Sequence, residues 1–211
     1  MNKAEALRVY IEEFLRQKSG QYFKEIIEYH MKNYTEIEEE FCQSFKILCQ
    51  NIRSDSEELP SISYIQVSLL LNRLLRGQPS YLFEAFGSDY FLEAPVAESI
   101  YDPQWLTARL LMLFDEMKQE AKRYMMAISE IEVEKLFITE VKPYEKLITL
   151  VAIGAIESIF DSKEYAELRY EDAIEFRIGE FRGDTELLFV KSEETDRIWR
   201  EINEILLNQA G

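Results

Sequence analysis

The sequence predicts a predominantly helical α+β fold, with six or more helices and a small antiparallel sheet built from two hairpins. Three observations lead to this prediction. Apolar residues recur at three- and four-residue spacing along most of the chain, as they do on amphipathic helices. Two stretches, at about 80–93 and 174–190, instead place aromatic or alternating apolar residues on either side of a glycine-containing turn. Hydrophobic residues at 47% and charged residues at 30% are typical of a globular chain.

The N-terminal quarter of the sequence predicts two helices. The first covers 3–18, and Gly20 is the expected stop signal. The second covers about 21–52, with one apolar stripe that we expect to face the core. The members of that stripe are Phe23, Ile27, His30, Tyr34, Ile37, Phe41 and Leu48, with Phe45 beside it. We expect one globular domain over 1–211, and the alternative is a helical hairpin over 1–53 packed on the remainder.

The middle of the chain changes from helical to β-like patterning. Residues 62–76 are apolar on nearly every face of a helix, which predicts a central buried helix that Gly77 ends. Residues 80–93 are aromatic-rich on both sides of a Gly-Ser-Asp turn, which predicts the first hairpin.

The C-terminal half predicts several helices and the clearest hairpin. A helix over about 103–128 is followed by one that a capping box at Ser129 opens, and Pro143 either breaks it or starts the next. The hairpin over 174–190 alternates apolar and charged residues, and a final amphipathic helix is expected over 194–208. The tripeptide Arg182-Gly183-Asp184 is interpreted as the hairpin turn and not as an adhesion motif.

The net charge of −16 restricts the classes of partner. Phosphate backbones and anionic membrane surfaces repel such a chain, so we expect neither direct nucleic-acid binding nor membrane association. The longest apolar run, Leu147–Ile156, is too short to span a bilayer. Since the first ten residues lack the apolar core of a secretory signal, we expect a cytoplasmic protein. Homo-oligomer formation stays open.

The two cysteines are expected to be reduced. Seven residues separate Cys42 from Cys49, which corresponds to about 10 Å along a helix. A disulfide needs Cα atoms within about 7 Å of each other. The thiols should therefore act as small apolar side chains.

The usual signatures of catalysis are missing. His30 is the single histidine, and its position on an apolar stripe favours a packed, hydrogen-bonded residue over a general base or metal ligand. The chain contains no zinc-binding motif, nucleophile elbow or phosphate-binding glycine loop. We therefore assign no catalytic residue, no metal site and no cofactor, and the sequence favours a non-enzymatic protein.

One segment, 78–102, has a composition that suggests binding. It combines acidic and aromatic residues and contains no Lys, Arg or His, which would suit a basic protein or peptide. The alternative is a hairpin whose aromatic rings face the core and whose acids face water. The candidate binding residues are Tyr81, Glu84, Phe86, Asp89, Tyr90, Glu93 and Tyr101.

Three functional hypotheses follow from these observations. The leading one is a non-enzymatic protein-interaction or regulatory protein with an acidic surface. The second is an enzyme with a carboxylate-based site around 84–102, either with or without a divalent metal. The third is an acidic mimic of nucleic acid that occupies a basic partner. The sequence names neither the partner nor the biological process.

Overall fold

The protein is described from a computed structural model, which covers residues 2–54, 59–124 and 127–198. The prediction of a predominantly helical α+β fold is confirmed. The α-helices are α1 Lys3–Val9, α2 Arg16–Lys32, α3 Tyr34–Ser54, α4 Leu71–Leu75, α5 Gln104–Ala121, α6 Glu130–Gly154, α7 Ile156–Phe160 and α8 Lys163–Ala166. The strands are β1 Tyr64–Leu69, β2 Tyr81–Phe86, β3 Ala97–Tyr101, β4 Ile174–Glu180 and β5 Thr185–Lys191. Residues 193–198 are also helical, and the rest of the helix predicted over 194–208 lies outside the described residues.

Spatial contacts divide the chain into two compact units, each assembled from three segments. Unit 1 comprises Met1–Phe41, Leu69–Tyr81 and Asp102–Ala155, whereas unit 2 comprises Cys42–Ser68, Leu82–Tyr101 and Ile156–Gly211. The single domain over 1–211 and the alternative hairpin over 1–53 stay predictions. No described helix combines the length and the apolar composition that a bilayer crossing requires.

The helix at the start of unit 1 does not stop at Gly20, so that boundary prediction is wrong. A π-helical segment, Tyr10–Leu15, joins α1 to α2, and α2 runs through Gly20. Tyr22 and Ile26, which follow the glycine, are buried. Their burial keeps the chain helical, although glycine inside a helix costs about 1 kcal/mol relative to alanine.

The long helix predicted over 21–52 is two helices, which separate at Asn33. The Asn33 side-chain amide donates a hydrogen bond of 2.8 Å to the Tyr29 carbonyl and closes the end of α2. The predicted apolar stripe is buried along α3, from Ile37 to Leu48. Along α2 it is displaced, because Phe23 is 40% exposed and Ile27 and His30 are only partly buried. Tyr34, the first residue of α3, is 56% exposed.

The core of unit 1 forms around α5, which packs against both α2 and α6. The rings of Phe114 and Phe137 stack with centroids 4.3 Å apart, and the Tyr10 hydroxyl donates to the Met117 carbonyl at 2.9 Å. Helix α6 begins at the predicted capping box, where the Glu132 carboxylate accepts the Ser129 N–H at 2.8 Å. Pro143 neither breaks α6 nor starts a new helix, since α6 continues through it.

A five-stranded mixed sheet with the order β3-β2-β1-β4-β5 forms the β element of unit 2. The hairpin predicted over 174–190 is confirmed, because β4 and β5 pair antiparallel with a bulge between Phe176 and Arg177. The Glu175 N–H donates to the Ser63 carbonyl at 2.9 Å, which places the beginnings of β4 and β1 together. Because these two strands run parallel, the prediction of a purely antiparallel sheet from two hairpins is wrong.

The buried helix predicted over 62–76 is instead a strand, β1, followed by the short helix α4. Five successive residues of β1, from Ile65 to Leu69, are buried. The apolar residues Ile65, Val67 and Leu69 alternate with the polar residues Gln66 and Ser68, which is the two-residue period of a strand. The helix prediction missed this period because it took the whole of 62–76 as apolar.

The hairpin predicted over 80–93 is wrong in the place of its second strand. The strand that follows β2 and pairs with it is β3, which lies beyond the predicted bounds. Residues Tyr90–Leu92 form a 3-10 turn instead, and Tyr90 has a φ of +50°. The rings of Tyr90 and Phe91 stack with centroids 3.9 Å apart, and both also contact Phe86. These rings cover the sheet instead of extending it.

Both cysteine side chains are buried in α3, and neither is in a disulfide, as predicted. Burial raises the pKa of Cys49 to about 12, and it raises the pKa of Cys42 as well. Only the thiolate reacts with disulfide reagents, so the folded protein should be protected.

We predict that neither thiol reacts readily in the native protein at pH 8. A pKa of about 12 in place of 9 lowers the thiolate fraction of Cys49 about 10³-fold, and burial blocks the reagent further. The measurement is the rate of reaction with an aromatic disulfide, with the protein unfolded in urea as the control that exposes both groups. A native thiol that reacts as fast as free cysteine would contradict this prediction.

Candidate functional site

The structure buries most of the aromatic residues that the sequence suggested as a binding surface. Tyr81, Phe86 and Tyr101 are at most 2% exposed, so the expected patch of exposed aromatic rings is wrong for these three. Tyr90 is partly exposed, and the two flanking acids Asp89 and Glu93 are exposed. That the seven candidate residues bind a partner stays a prediction.

Glu84 is the residue of this set with the least ordinary surroundings. It lies on β2, its side chain is buried, and its Oε1 is 3.4 Å from the Arg182 guanidinium. Its Oε2 has no hydrogen-bond partner among the described residues. Burial raises the pKa of the Glu84 carboxyl, and the positive charge of Arg182 offsets part of that rise.

Arg182 reaches Glu84 from the turn between β4 and β5. Its φ of +58° is the left-handed conformation, which side chains other than glycine and asparagine adopt at a cost. The guanidinium lies 4.4 Å from the Phe91 ring centroid and 5.5 Å from that of Phe86. The strained turn is therefore held by an ion pair and by two aromatic faces.

This contact corrects the inference drawn from the charge of segment 78–102. The segment contains no basic residue, and an external cationic partner was one explanation of its uncompensated acids. For Glu84 the compensating charge belongs to the same chain, 98 residues away along the sequence. The sequence treated Arg182 only as part of a turn, and no local pattern links it to β2.

Further polar side chains lie on the same sheet as Glu84. The Gln66 side chain accepts a hydrogen bond from the Tyr90 hydroxyl and donates one of 2.6 Å to Ser68. Arg177 donates to the Glu175 carboxylate at 2.6 Å. We call Gln66, Glu84, Tyr90, Arg177 and Arg182 the Glu84 cluster.

The chemistry of the Glu84 cluster is that of one carboxyl group with a raised pKa beside the Arg182 guanidinium. No described group of three or more His, Cys, Asp or Glu residues is arranged to hold a metal ion. A protonated Glu84 could donate a hydrogen bond, as a general acid does. The hypothesis of a carboxylate enzyme therefore stays a prediction that rests on this single acid.

His30 is partly buried near the end of α2, 5.7 Å from the Trp105 ring. Its Nε2 is buried without a hydrogen-bond partner among the described residues, so the expectation of a hydrogen-bonded ring is not met at this atom. Burial lowers the pKa of the imidazole, which favours its neutral form. Its structural role stays a prediction.

An apolar groove of about 540 Å³ lies between α2 and α6 in unit 1. We call it the α2–α6 groove. Leu147 is buried at its base, Phe23 is 40% exposed and Leu150 is 58% exposed. The groove is lined by Phe23, Ile27, Thr139, Lys142, Pro143, Lys146, Leu147 and Leu150.

The sequence pattern did not identify this groove, because it assigned Phe23 and Ile27 to the core. The signal that would have revealed it is a second apolar pair on α2, Tyr22 and Ile26, one residue earlier along the helix. A helix that packs on one neighbour buries a single stripe. Tyr22 and Ile26 occupy that stripe, which leaves Phe23 and Ile27 at its edge.

A second cavity in unit 1, of about 450 Å³, lies where α5 ends and α6 begins. Its lining includes two acids, Asp115 and Glu130, and two lysines, Lys118 and Lys122. Because the two signs of charge balance, this lining selects no ligand class by charge.

Replacing Glu84 by glutamine should stabilise the protein at pH 7 by about 1 kcal/mol. The folded state binds the Glu84 proton more tightly than the unfolded chain, so the free energy of unfolding decreases as pH rises through the folded-state pKa. The gain should therefore shrink as pH falls to about 4. Urea unfolding across this pH range measures it, with Glu93→Gln as the exposed control. A variant less stable than wild type at pH 7 would show that the ion pair outweighs desolvation.

Removing the Arg182 side chain should lower the free energy of unfolding substantially only while residue 84 carries a negative charge. Asparagine tolerates the left-handed turn, so Arg182→Asn removes the guanidinium and retains the backbone. We expect a loss of about 2 kcal/mol in the wild-type background, and less than about 1 kcal/mol when Glu84 is glutamine. A double-mutant cycle by urea unfolding measures the difference. Equal losses in both backgrounds would mean that Arg182 acts through its aromatic contacts alone.

Comparison of the chain with protein-family models, with curated proteins and with solved structures found no match.

Proposed function

We propose that this chain is a non-enzymatic protein-interaction protein and that the α2–α6 groove is its docking surface. The observation that carries the proposal is the exposed apolar lining of that groove. Leu150 is 58% exposed, and covering such an apolar side chain with a partner makes the free energy of binding more favourable.

The shape of the groove supports a helical partner. The residues of α6 that line it, from Thr139 to Leu150, span about 16 Å, which is three helical turns. Amphipathic helices bind such grooves by inserting side chains at three- and four-residue spacing. The volume of about 540 Å³ is within the range of sites that enclose several apolar groups.

The Glu84 cluster gives weaker support for the enzyme hypothesis. Glu84 is 1% exposed, and the Arg182 side chain contacts it from the turn, so a substrate would have to displace an ion pair to reach it. In the α2–α6 groove, by contrast, the side chains that would contact a partner, such as Phe23 and Leu150, are already exposed. The regulatory role, the acidic surface, the cytoplasmic location and homo-oligomer formation inferred from the sequence remain predictions.

Substitution of Leu150 by glutamine should reduce the recovery of bound proteins at least about tenfold. Burying a leucine contributes about 1.5–3 kcal/mol, and 1.4 kcal/mol corresponds to tenfold in affinity. The measurement is affinity purification from the native cell followed by quantitative mass spectrometry. Since Leu150 is largely exposed, its loss should change the stability of the fold by less than about 0.5 kcal/mol.

The matched control is Ile131→Gln. Ile131 is 63% exposed on the same helix and does not line the groove. Partners that are lost with Leu150→Gln and retained with Ile131→Gln would support docking in the groove. Equal recovery with both variants would contradict it.

A further inference from the structure

The exposed face of α6 that borders the α2–α6 groove is basic, in contrast to the chain as a whole. From 135 to 154 the exposed residues of α6 include three lysines, Lys135, Lys142 and Lys146, and no Asp or Glu. The acids of that stretch, Glu140 and Glu145, are half-buried. The protein carries a net charge of −16, so this face differs in sign from the average surface.

Two of the three lysines line the groove itself. Lys142 and Lys146 are one helical turn apart, on the same side as Leu150. Lys142 already interacts within the chain, whereas Lys146 forms no ion pair with a described residue. The apolar lining is thus flanked by ammonium groups, which favour carboxylates on whatever covers it.

Pro143 adds a hydrogen-bond acceptor at the same place. Proline has no N–H, so the Thr139 carbonyl cannot receive the intrahelical bond that residue 143 would normally donate. Thr139 and Pro143 both line the groove. The side of α6 that faces a bound segment therefore offers a carbonyl group as well as two cations.

We propose that the occupant of the α2–α6 groove is an acidic amphipathic helix on a partner protein. Its leucine-like side chains would fill the lining between Phe23 and Leu150, and its Asp or Glu side chains would pair with Lys146 and lie near Lys142. This inference rests on the proposed function and adds the chemistry of the partner. The partner proposed here is acidic and binds the α2–α6 groove, whereas the composition of segment 78–102 suggested a basic partner at that segment.

The geometry sets the length of the partner helix. About three turns, or 11–12 residues, match the extent of α6 that lines the groove. Apolar residues at three- and four-residue spacing form the inserted stripe, and acids next to that stripe reach the lysines. A net negative partner would be repelled by the acidic chain elsewhere, so the lysines fix where the partner docks.

The test uses the full chain and a fluorescein-labelled synthetic helix of about 14 residues. Leucines follow the three- and four-residue spacing, glutamates flank them, and alanines fill the rest. A second peptide replaces every glutamate by lysine. We expect fluorescence anisotropy to show that the glutamate peptide binds wild type, and that Lys142→Glu with Lys146→Glu weakens this binding at least about tenfold. The lysine peptide should prefer the charge-reversed variant, and added salt should weaken both matched pairs.

The control is the double variant Lys122→Glu with Lys163→Glu. It changes the net charge by the same amount at two exposed lysines outside the groove, so it should bind the glutamate peptide nearly as wild type does. Circular dichroism confirms that each variant is folded. Equal losses in both double variants would show a general charge effect and would overturn the proposal.

Other outcomes separate this inference from the proposed function. If Leu150→Gln loses its cellular partners while wild type binds the lysine peptide more tightly, the groove is the docking surface and the partner is not acidic. If neither peptide binds wild type, the acidic-helix proposal fails, and the purification with Leu150→Gln alone decides the proposed function.

Discussion

The burial of one carboxyl group, Glu84, determines much of the arrangement of unit 2. A buried carboxylate without a counter-charge is costly, and the only side chain shown within ion-pair distance of it among the described residues is Arg182. The β4–β5 turn adopts a left-handed residue at that position, and the rings of Phe86 and Phe91 support its guanidinium. The left-handed turn and the rings of the segment after β2 thus meet at one ion pair, which offsets part of the rise in pKa that burial causes at Glu84.

A different constraint governs unit 1. Helix α5 packs against both α2 and α6, and each of these helices buries one stripe. Apolar residues beyond that stripe, such as Phe23 on α2 and Leu150 on α6, have no equivalent place in the core. They line a groove instead, and lysines on α6 give that groove a charge opposite to that of the protein.

The two sites therefore suit different roles. The Glu84 cluster is buried and internally compensated, which is the character of a structural polar network. The α2–α6 groove combines exposed apolar side chains with cations, which is the character of a helix-binding surface. This contrast is why a protein-interaction role is proposed in preference to carboxylate catalysis.

The sequence by itself determined the helical class, the capping box at Ser129, the buried stripe of α3 and the β4–β5 hairpin, because each depends on residues close together along the chain. Tertiary structure alone decided that Gln66 and Ser68, the polar face of β1, are buried, since alternation along a strand does not show what covers either face. It also decided that Tyr22 and Ile26 face the core in place of Phe23 and Ile27. The pairing of Glu84 with Arg182, 98 residues apart, was equally invisible, because sequence spacing carries no information about which distant charges meet.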